Sequence, residues 1–168
     1  MKDFYVLFTE ELKKIYNIEK HAVKALPYMA KEASSKKLKK VLTAHTKETL
    51  KQIVRLEEIA AEFNIKLTSS SSEIIKSILQ ARKKELYNYD KDTKDAFIII
   101  NIQKLKHYEM ACYGNLKTFA KHFKLNNIEE LLEESSKEEG NLDKKLTQIA
   151  EGSFFDCGVN TKARKKCA

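Results

Sequence analysis

Four carboxylates stand at corresponding places in four segments of the sequence, and each interrupts a run of apolar residues: Glu19, Glu48, Glu109 and Glu139. His45 stands three residues before Glu48. Asp143 stands four residues after Glu139, so on helices both pairs would share a face. Carboxylate oxygens with one imidazole suit iron or manganese, whereas structural zinc favours Cys and His in closed tetrahedral sites. The pattern predicts a metal site built from these six residues.

The segments that carry these residues have helical spacing. Apolar residues recur every three or four positions over residues 3–33, 36–63, 92–123 and 126–152, with a shorter amphipathic stretch over 73–87. One Pro and four Gly leave little to break helices. Pro27, inside the first helix, is expected to bend it. The sequence therefore predicts an all-α fold.

Two tight helical hairpins are joined by a link of nearly thirty residues. A bundle with one long crossover has the ferritin-like connectivity, whereas an up-down-up-down bundle needs only short loops. We therefore predict a ferritin-like four-helix bundle over residues 1–152, with a short extra helix in the crossover. Residues 153–168 lack a helical period and are basic, which predicts a flexible or docking C-terminal tail.

Each predicted long helix carries one stripe of residues spaced by threes and fours. The stripes are Phe8, Leu12, Ile15, Glu19, Ala22, Leu26; Leu38, Val41, His45, Glu48, Gln52, Leu56, Ile59; Ile102, Leu105, Glu109, Cys112, Leu116; and Leu132, Ser136, Glu139, Asp143, Leu146, Ala150. The stripe carboxylates lie about thirteen to sixteen residues from the hairpin turns. Antiparallel packing would therefore gather them in one layer at mid-bundle.

The negative charge of that layer must be balanced by cations or by protons. Five carboxylates carry a formal charge of −5, which a dry core does not hold without cations or proton uptake. Salt bridges with Arg55 or nearby Lys are one alternative. No Lys or Arg lies on the stripes at that depth, so two divalent metal ions are the predicted neutraliser.

Other polar residues near the stripes have secondary predicted roles. His21, His107 and His122 are expected at the surface or outside the ligand set, because none shares a helix face with a stripe carboxylate at mid-bundle. Tyr16, Tyr113 and Gln52 each lie within about one turn of a stripe carboxylate. They could hydrogen-bond the ligands, although core packing explains the tyrosines equally well.

The distribution of charge and the cysteine content indicate which partners and which cellular compartment to expect. Of the net charge of +8, four positive charges lie in the last few residues, at Lys162, Arg164, Lys165 and Lys166. This concentration favours a solvated tail over a nucleic-acid-binding face. The sequence contains no apolar run of membrane-spanning length and starts without a signal-peptide pattern, so we expect a cytoplasmic protein with reduced thiols at its three Cys.

Four segments together resemble a known family. IYNIEKHAVKALPYMA, HTKETLKQIVRLE, IQKLKHYEMACYGNL and LLEESSKEEGNLDKKLTQIA are similar to the four helix motifs of the YciF/YciE-type ferritin-like proteins, which are bacterial stress-associated proteins. The resemblance covers roughly residues 5 to 151. It implies a metal layer formed by Glu19, by His45 with Glu48, by Glu109, and by Glu139 with Asp143.

This chain departs from the family pattern at two positions. Lys106 stands where the family commonly has an acid before HYE, and Ser136 replaces a usual Leu on the last helix. If the lost acid is a ligand in relatives, the number or affinity of the metal ions differs in this chain.

These observations lead to three functional hypotheses. The first is a metal-binding stress protein with a carboxylate-bridged di-iron or di-manganese site that oxidises Fe(II) or reduces oxygen or peroxide. The second is a non-catalytic structural or partner-binding helical bundle. The third, a nucleic-acid-associated protein like the mini-ferritins, rests on the basic tail alone. We also expect a homodimer, because the crossover helix offers an extra apolar face.

Overall fold

Four long helices dominate the computed structural model, which describes residues 3–68, 85–153 and 156–164. They are α1 (Phe4–Glu32), α2 (Lys36–Glu62), α3 (Lys91–His122) and α4 (Asn126–Glu151). A 3-10 turn, Leu86–Asn88, precedes α3. After α4 come two two-residue strands, β1 (Gly152–Ser153) and β2 (Asp156–Cys157), and a short helix, α5 (Val159–Arg164). The prediction of an all-α four-helix bundle is confirmed; the predicted crossover helix over 73–87 lies mostly outside the described residues.

Side-chain caps fix where three of the helices begin. Asp3, Ser35 and Asp90 accept hydrogen bonds from main-chain N–H groups of the first turns of α1, α2 and α3 respectively. The helix predicted over 92–123 therefore begins one residue earlier than expected. α4 begins at Asn126, as its predicted range does, and follows Leu125 without a side-chain cap.

Two non-glycine residues in the left-handed region end α2 and α3. Asn64 has φ 52° and Lys124 has φ 59°. In both places the next N–H reaches back to a carbonyl five residues earlier, with Ile65 N to Ala60 O at 2.8 Å and Leu125 N to Ala120 O at 2.9 Å. This Schellman arrangement satisfies terminal carbonyls and turns the chain out of the helix.

A buried carboxylate ties the α1–α2 turn to α3. Asp95 accepts hydrogen bonds from Ser34 N at 2.6 Å and from Ser35 N at 2.7 Å, one on each oxygen. Pro27 lies inside α1, yet the helix continues to Glu32 before this turn. Asp95 therefore fixes the height of the first hairpin relative to the second.

The two hairpins pack face to face. α1 packs on α2 and α3 on α4, while α1 also contacts α3 and α2 contacts α4. This order requires the long link between α2 and α3, as the ferritin-like connectivity predicts. Apolar side chains from all four helices fill the space between them. Within the described ranges, no helix has the length and apolarity to cross a membrane.

The segment after α4 folds back onto the bundle. β1 and β2 pair antiparallel, with Gly152 opposite Cys157. α5 then packs on α3 and α4, and its Val159 is buried in the main core. A Cβ on Gly158 would meet the backbone of Ala150 and Glu151, so only glycine allows this close return. The tail was predicted to be either flexible or docked, and residues 156–164 lie docked against the bundle.

Candidate metal centre

Three carboxylates meet in the middle of the bundle, one each from α1, α3 and α4. Glu19, Glu109 and Glu139 each place an oxygen within 4.8 Å of the other two. All three are 0% exposed. The spacing of the stripes predicted this convergence, since residues at equal distances from antiparallel hairpin turns reach the same height.

Helix α2 contributes an imidazole to this layer, and its predicted carboxylate lies farther out. His45 is buried, with Nε2 3.4 Å from Glu139 Oε2. On its other side, His45 Nδ1 lies 2.8 Å from Glu48 Oε2, and the Glu48 side chain is 35% exposed. Glu48 therefore adjoins the layer through His45.

Asp143 also lies outside the three-carboxylate cluster. Its Oδ1 accepts a hydrogen bond from Gln103 Nε2 at 3.0 Å and lies 3.4 Å from His107 Nε2. The buried face of α4 runs through Ser135, Glu139 and Leu142, one position away from the predicted Ser136 and Asp143. The predicted α4 stripe was therefore wrong by one position at Ser136 and Asp143, which is about 100° around the helix. The Asp143 side chain lies instead toward the outer side of α3.

A lysine occupies the layer itself. Lys106 is 0% exposed, and its Nζ lies 2.5 Å from Glu109 Oε2 and 2.6 Å from Glu139 Oε2. Its third contact is His45 Nε2, at 2.9 Å. The ammonium thus has two ion-pair contacts and one hydrogen-bond contact.

The prediction placed no Lys or Arg on the stripes at this depth, and Lys106 reaches the layer from the neighbouring row of α3, as the alternative of a nearby Lys allowed. Lys106 precedes Glu109 by three residues, a spacing that puts both on one helix face, and this spacing was the available sequence indication. The α3 stripe missed it because α3 buries two neighbouring rows of side chains, and Lys106 and Tyr113 lie in the second row.

Neutral side chains hold two of the carboxylates in place. Tyr113 Oη donates to Glu19 Oε1 at 2.8 Å, and Gln52 Nε2 donates to Glu139 Oε1 at 2.6 Å. Both contacts agree with the roles predicted for these residues. Tyr16 instead bonds Glu57. Among the described residues, Glu19 Oε2, both oxygens of Glu109 and Glu139 Oε2 have no hydrogen-bond partner. Glu109 Oε2 and Glu139 Oε2 are ion-paired with Lys106, which leaves Glu19 Oε2 and Glu109 Oε1 without either kind of contact.

The remaining predicted polar groups lie away from the layer. Arg55 pairs with Glu134 at 2.6 Å and Glu138 at 2.7 Å, so it does not neutralise the buried cluster directly. His107 and His122 are exposed and His21 is half-buried. Their placement agrees with the expectation that these histidines are not ligands.

Burial and Lys106 together decide which groups in the layer are charged. Burial, with Glu139, raises the pKa of Glu19 from 4.5 to about 7. Burial raises the pKa of Glu109 well above its ordinary value despite the nearby Lys106. Burial acts in the same direction on Glu139, but the ammonium of Lys106 outweighs it and lowers the pKa of that carboxyl. The ionised pair of the layer is therefore Lys106 with Glu139. Glu19 is near its midpoint at neutral pH, and the raised pKa of Glu109 favours its neutral form.

This donor set fits one divalent cation. With all three carboxylates ionised and Lys106 charged, the formal charge of the layer is −2, which one divalent ion balances. A second ion would leave an excess of positive charge in a dry core. The orphaned Glu19 Oε2 and Glu109 Oε1 are hard oxygen donors of the kind that manganese and Fe(II) accept.

Comparisons with known proteins agree with this architecture. The family described as "Domain of unknown function (DUF892)" matches residues 4–160. Protein YciF of Escherichia coli (strain K12) is 32% identical over 168 residues, covering 99% of this chain and 98% of YciF.

Two solved structures have the same fold. The crystal structure of the E. coli stress protein YciF matches with a TM-score of 0.81 and 31% identity, covering 89% of this chain and 95% of that one. YcfI from Rhodopseudomonas palustris, proposed to be a structural protein, matches with a TM-score of 0.83 and 31% identity, over 89% and 96% of the two chains. The predicted resemblance is thereby confirmed.

Proposed function

The chain belongs to the DUF892 family, and on that basis we propose that it is a YciF-like stress protein whose bundle binds one divalent metal ion of the iron or manganese kind. The observation that supports this proposal is the meeting of Glu19, Glu109 and Glu139 in a fully buried layer. Burying three acids is costly, and in a metal-free bundle it raises the pKa of two of them, Glu19 and Glu109. A divalent cation would relieve that cost.

Lys106 distinguishes this proposal from the predicted two-ion site. Its ammonium bridges Glu109 and Glu139 at 2.5 and 2.6 Å, as a second cation would. Glu48 and Asp143, the acids that could hold another ion, lie outside the cluster. We therefore propose one ion held by Glu19, Glu109 and Glu139, with His45 beside it and Lys106 as a permanent partner charge.

The surrounding residues prepare His45 and the carboxylates for this role. Because Lys106 Nζ can only donate, His45 Nε2 accepts at 2.9 Å, and Nδ1–H is left to donate to Glu48. Glu48 thus sets the tautomer and ring orientation of His45 from the outer side. When bound, the ion would supply Lewis-acid or one-electron chemistry.

Metal stoichiometry tests the proposal. Metal-free protein is dialysed against Mn(II), or against Fe(II) without oxygen, and the bound metal is measured by mass spectrometry. We expect one ion per chain, lost in Glu19→Gln and retained in the matched variant Glu11→Gln, whose carboxylate pairs with Lys14 at the surface. Absence of binding, or binding that survives Glu19→Gln, would overturn the metal site, and two ions per chain would overturn the role proposed for Lys106.

Oxidation of Fe(II) with reduction of oxygen or peroxide stays a prediction from the carboxylate ligands, and the homodimer stays a prediction from the apolar face of the crossover helix. Oxygen consumption by the Fe(II)-loaded protein tests the first. A rate equal to that of the Glu19→Gln variant would count against turnover at this site.

One observation favours a second candidate, a structural bundle that works without metal. Lys106 and Glu139 neutralise one another, and protons on Glu109 and Glu19 can neutralise the rest. A relative proposed to be a structural protein has the same fold. This candidate predicts that the metal-free protein neither binds Mn(II) or Fe(II) nor gains thermal stability from them.

A further inference from the structure

A cavity of about 670 Å³ opens beside the carboxylate layer, between α2, α4 and the C-terminal segment. Sites for small molecules commonly have volumes of about 300–1,000 Å³ and mostly apolar walls. Part of the wall in this cavity is aliphatic, formed by Val41, Ala44, Leu142, Ile149 and Val159. Among the described lining residues there is no Phe, Tyr or Trp, so the wall suits an alkyl chain better than a stacked ring.

The rim of this cavity is basic. Lys37 and Lys40 of α2, Lys145 of α4 and Lys162 of α5 line it and are all exposed. Among the described lining residues, Glu48 is the one acid. Four ammonium groups around one carboxylate give an excess of positive charge, which attracts an anion to the mouth of the cavity.

The docked C-terminal segment completes the cavity. Gly152, Cys157, Val159 and Lys162 form one of its sides, and Val159 is anchored in the core. The inner wall includes His45, whose opposite edge contacts the buried carboxylate layer. The cavity is thus a built concave site with an apolar wall and a cationic rim, and it requires no metal ion to exist.

From these features we propose that the cavity binds a small aliphatic amphiphile with one anionic head group, a carboxylate or a phosphate. The head lies at the rim with Lys40 and Lys145, and the alkyl chain lies against Val41, Leu142 and Ile149. Binding at this place is independent of the proposed metal site.

Calorimetric titration with decanoate tests the proposal on the metal-free full chain. We expect saturable binding with a Kd below about 1 mM. Decanol lacks the charge and acetate lacks the chain, so both should bind at least about tenfold more weakly, as a loss of roughly 1.4 kcal/mol gives. The same titration is done with decyl phosphate, and the anion with the lower Kd identifies the preferred head group.

Two double variants of equal charge distinguish binding in the cavity from a general attraction of the anion to a basic protein. Lys40→Gln with Lys145→Gln removes two rim ammonium groups, and we expect about fivefold weaker decanoate binding, the size of two exposed ion pairs. Lys39→Gln with Lys144→Gln removes the neighbouring exposed lysines that do not line this cavity, and binding should be unchanged. Ala44→Phe should block the wall and abolish binding.

Three results would overturn the proposal. They are the absence of saturable binding by either anion, equal weakening in the two double variants, and decanol binding as tight as decanoate. Circular dichroism of each variant shows that a loss of binding is not a loss of fold. Failure of metal binding in the Glu19→Gln experiment would leave this result unaffected.

Discussion

Replacing Lys106 by Met removes the one cation from the buried layer while keeping most of the side-chain volume. The ammonium lies within 3 Å of three acceptors, on Glu109, Glu139 and His45. Burial raises the pKa of Glu109 well above the ordinary value, which favours its neutral form. The substitution therefore leaves the Glu139 carboxylate as a buried anion without its ammonium partner.

The loss of stability depends on the protonation state that Glu139 adopts after the substitution. Without Lys106, burial dominates and the carboxyl takes up a proton in the folded state. Holding a proton at about pH 7 on a group whose ordinary pKa is 4.5 costs about 3 kcal/mol, at 1.36 kcal/mol per pH unit. Near pH 5 the same cost is under about 1 kcal/mol. Breaking a buried pair typically costs about 3–5 kcal/mol, which agrees with the larger figure.

Urea unfolding followed by circular dichroism measures this free energy. We expect Lys106→Met to lose about 3 kcal/mol near pH 7, or roughly 6–12 °C in Tm, and much less near pH 5. The matched control is Lys104→Met, an exposed lysine on the same helix, which should change stability by less than about 0.5 kcal/mol. Adding Glu139→Gln to Lys106→Met should restore much of the loss, since no charge then remains to be desolvated.

Three results would refute this reasoning. The first is a Lys106→Met protein as stable as Lys104→Met near pH 7. The second is a loss of equal size at both pH values, because packing alone would then account for it. The third is a double variant no more stable than the single one.

Three further predictions concern the same layer and the C-terminal segment. The raised pKa of Glu19 stabilises the metal-free protein below about pH 4.5, and this contribution of about 3 kcal/mol is lost as the pH rises to about 7. Glu19→Gln should therefore flatten the fall of Tm between these pH values, and an unchanged slope would contradict the assignment. Mn(II) binding near pH 6 should release about one to two protons, from Glu109 and Glu19, measured by calorimetry in buffers of different ionisation enthalpy; binding without proton release would contradict the protonation of these two carboxyls. Gly158→Ala should detach β2 and α5, because the new Cβ meets the backbone of Ala150 and Glu151, and hydrogen exchange of the α5 amides should speed up. Gly114→Ala, where nothing lies within 4 Å, is the control and should leave these amides protected.

The bundle and part of its site could be read from spacing along the chain. The stripes of α1 and α3 were placed correctly, because each centres on a row of apolar residues that only one helix face can bury. Glu19 and Glu109 lie on those rows, and counting residues from the hairpin turns gave their common height. Glu139 was placed correctly for the same reason.

The sequence by itself determined the four helices, their pairing and the depth of the acidic layer, because these depend on periodicity and on chain length between turns. The tertiary structure decided which neighbours of those acids point inward. On α2 and α4, residues three or four apart compete for the same face, and packing between hairpins turned His45 in and left Glu48 and Asp143 outside. It also placed Lys106 against carboxylates of two helices and folded the tail over a basic cavity. The contact of Lys106 with Glu139 and the contacts of the tail join residues far apart in the chain, so spacing within one helix does not predict them.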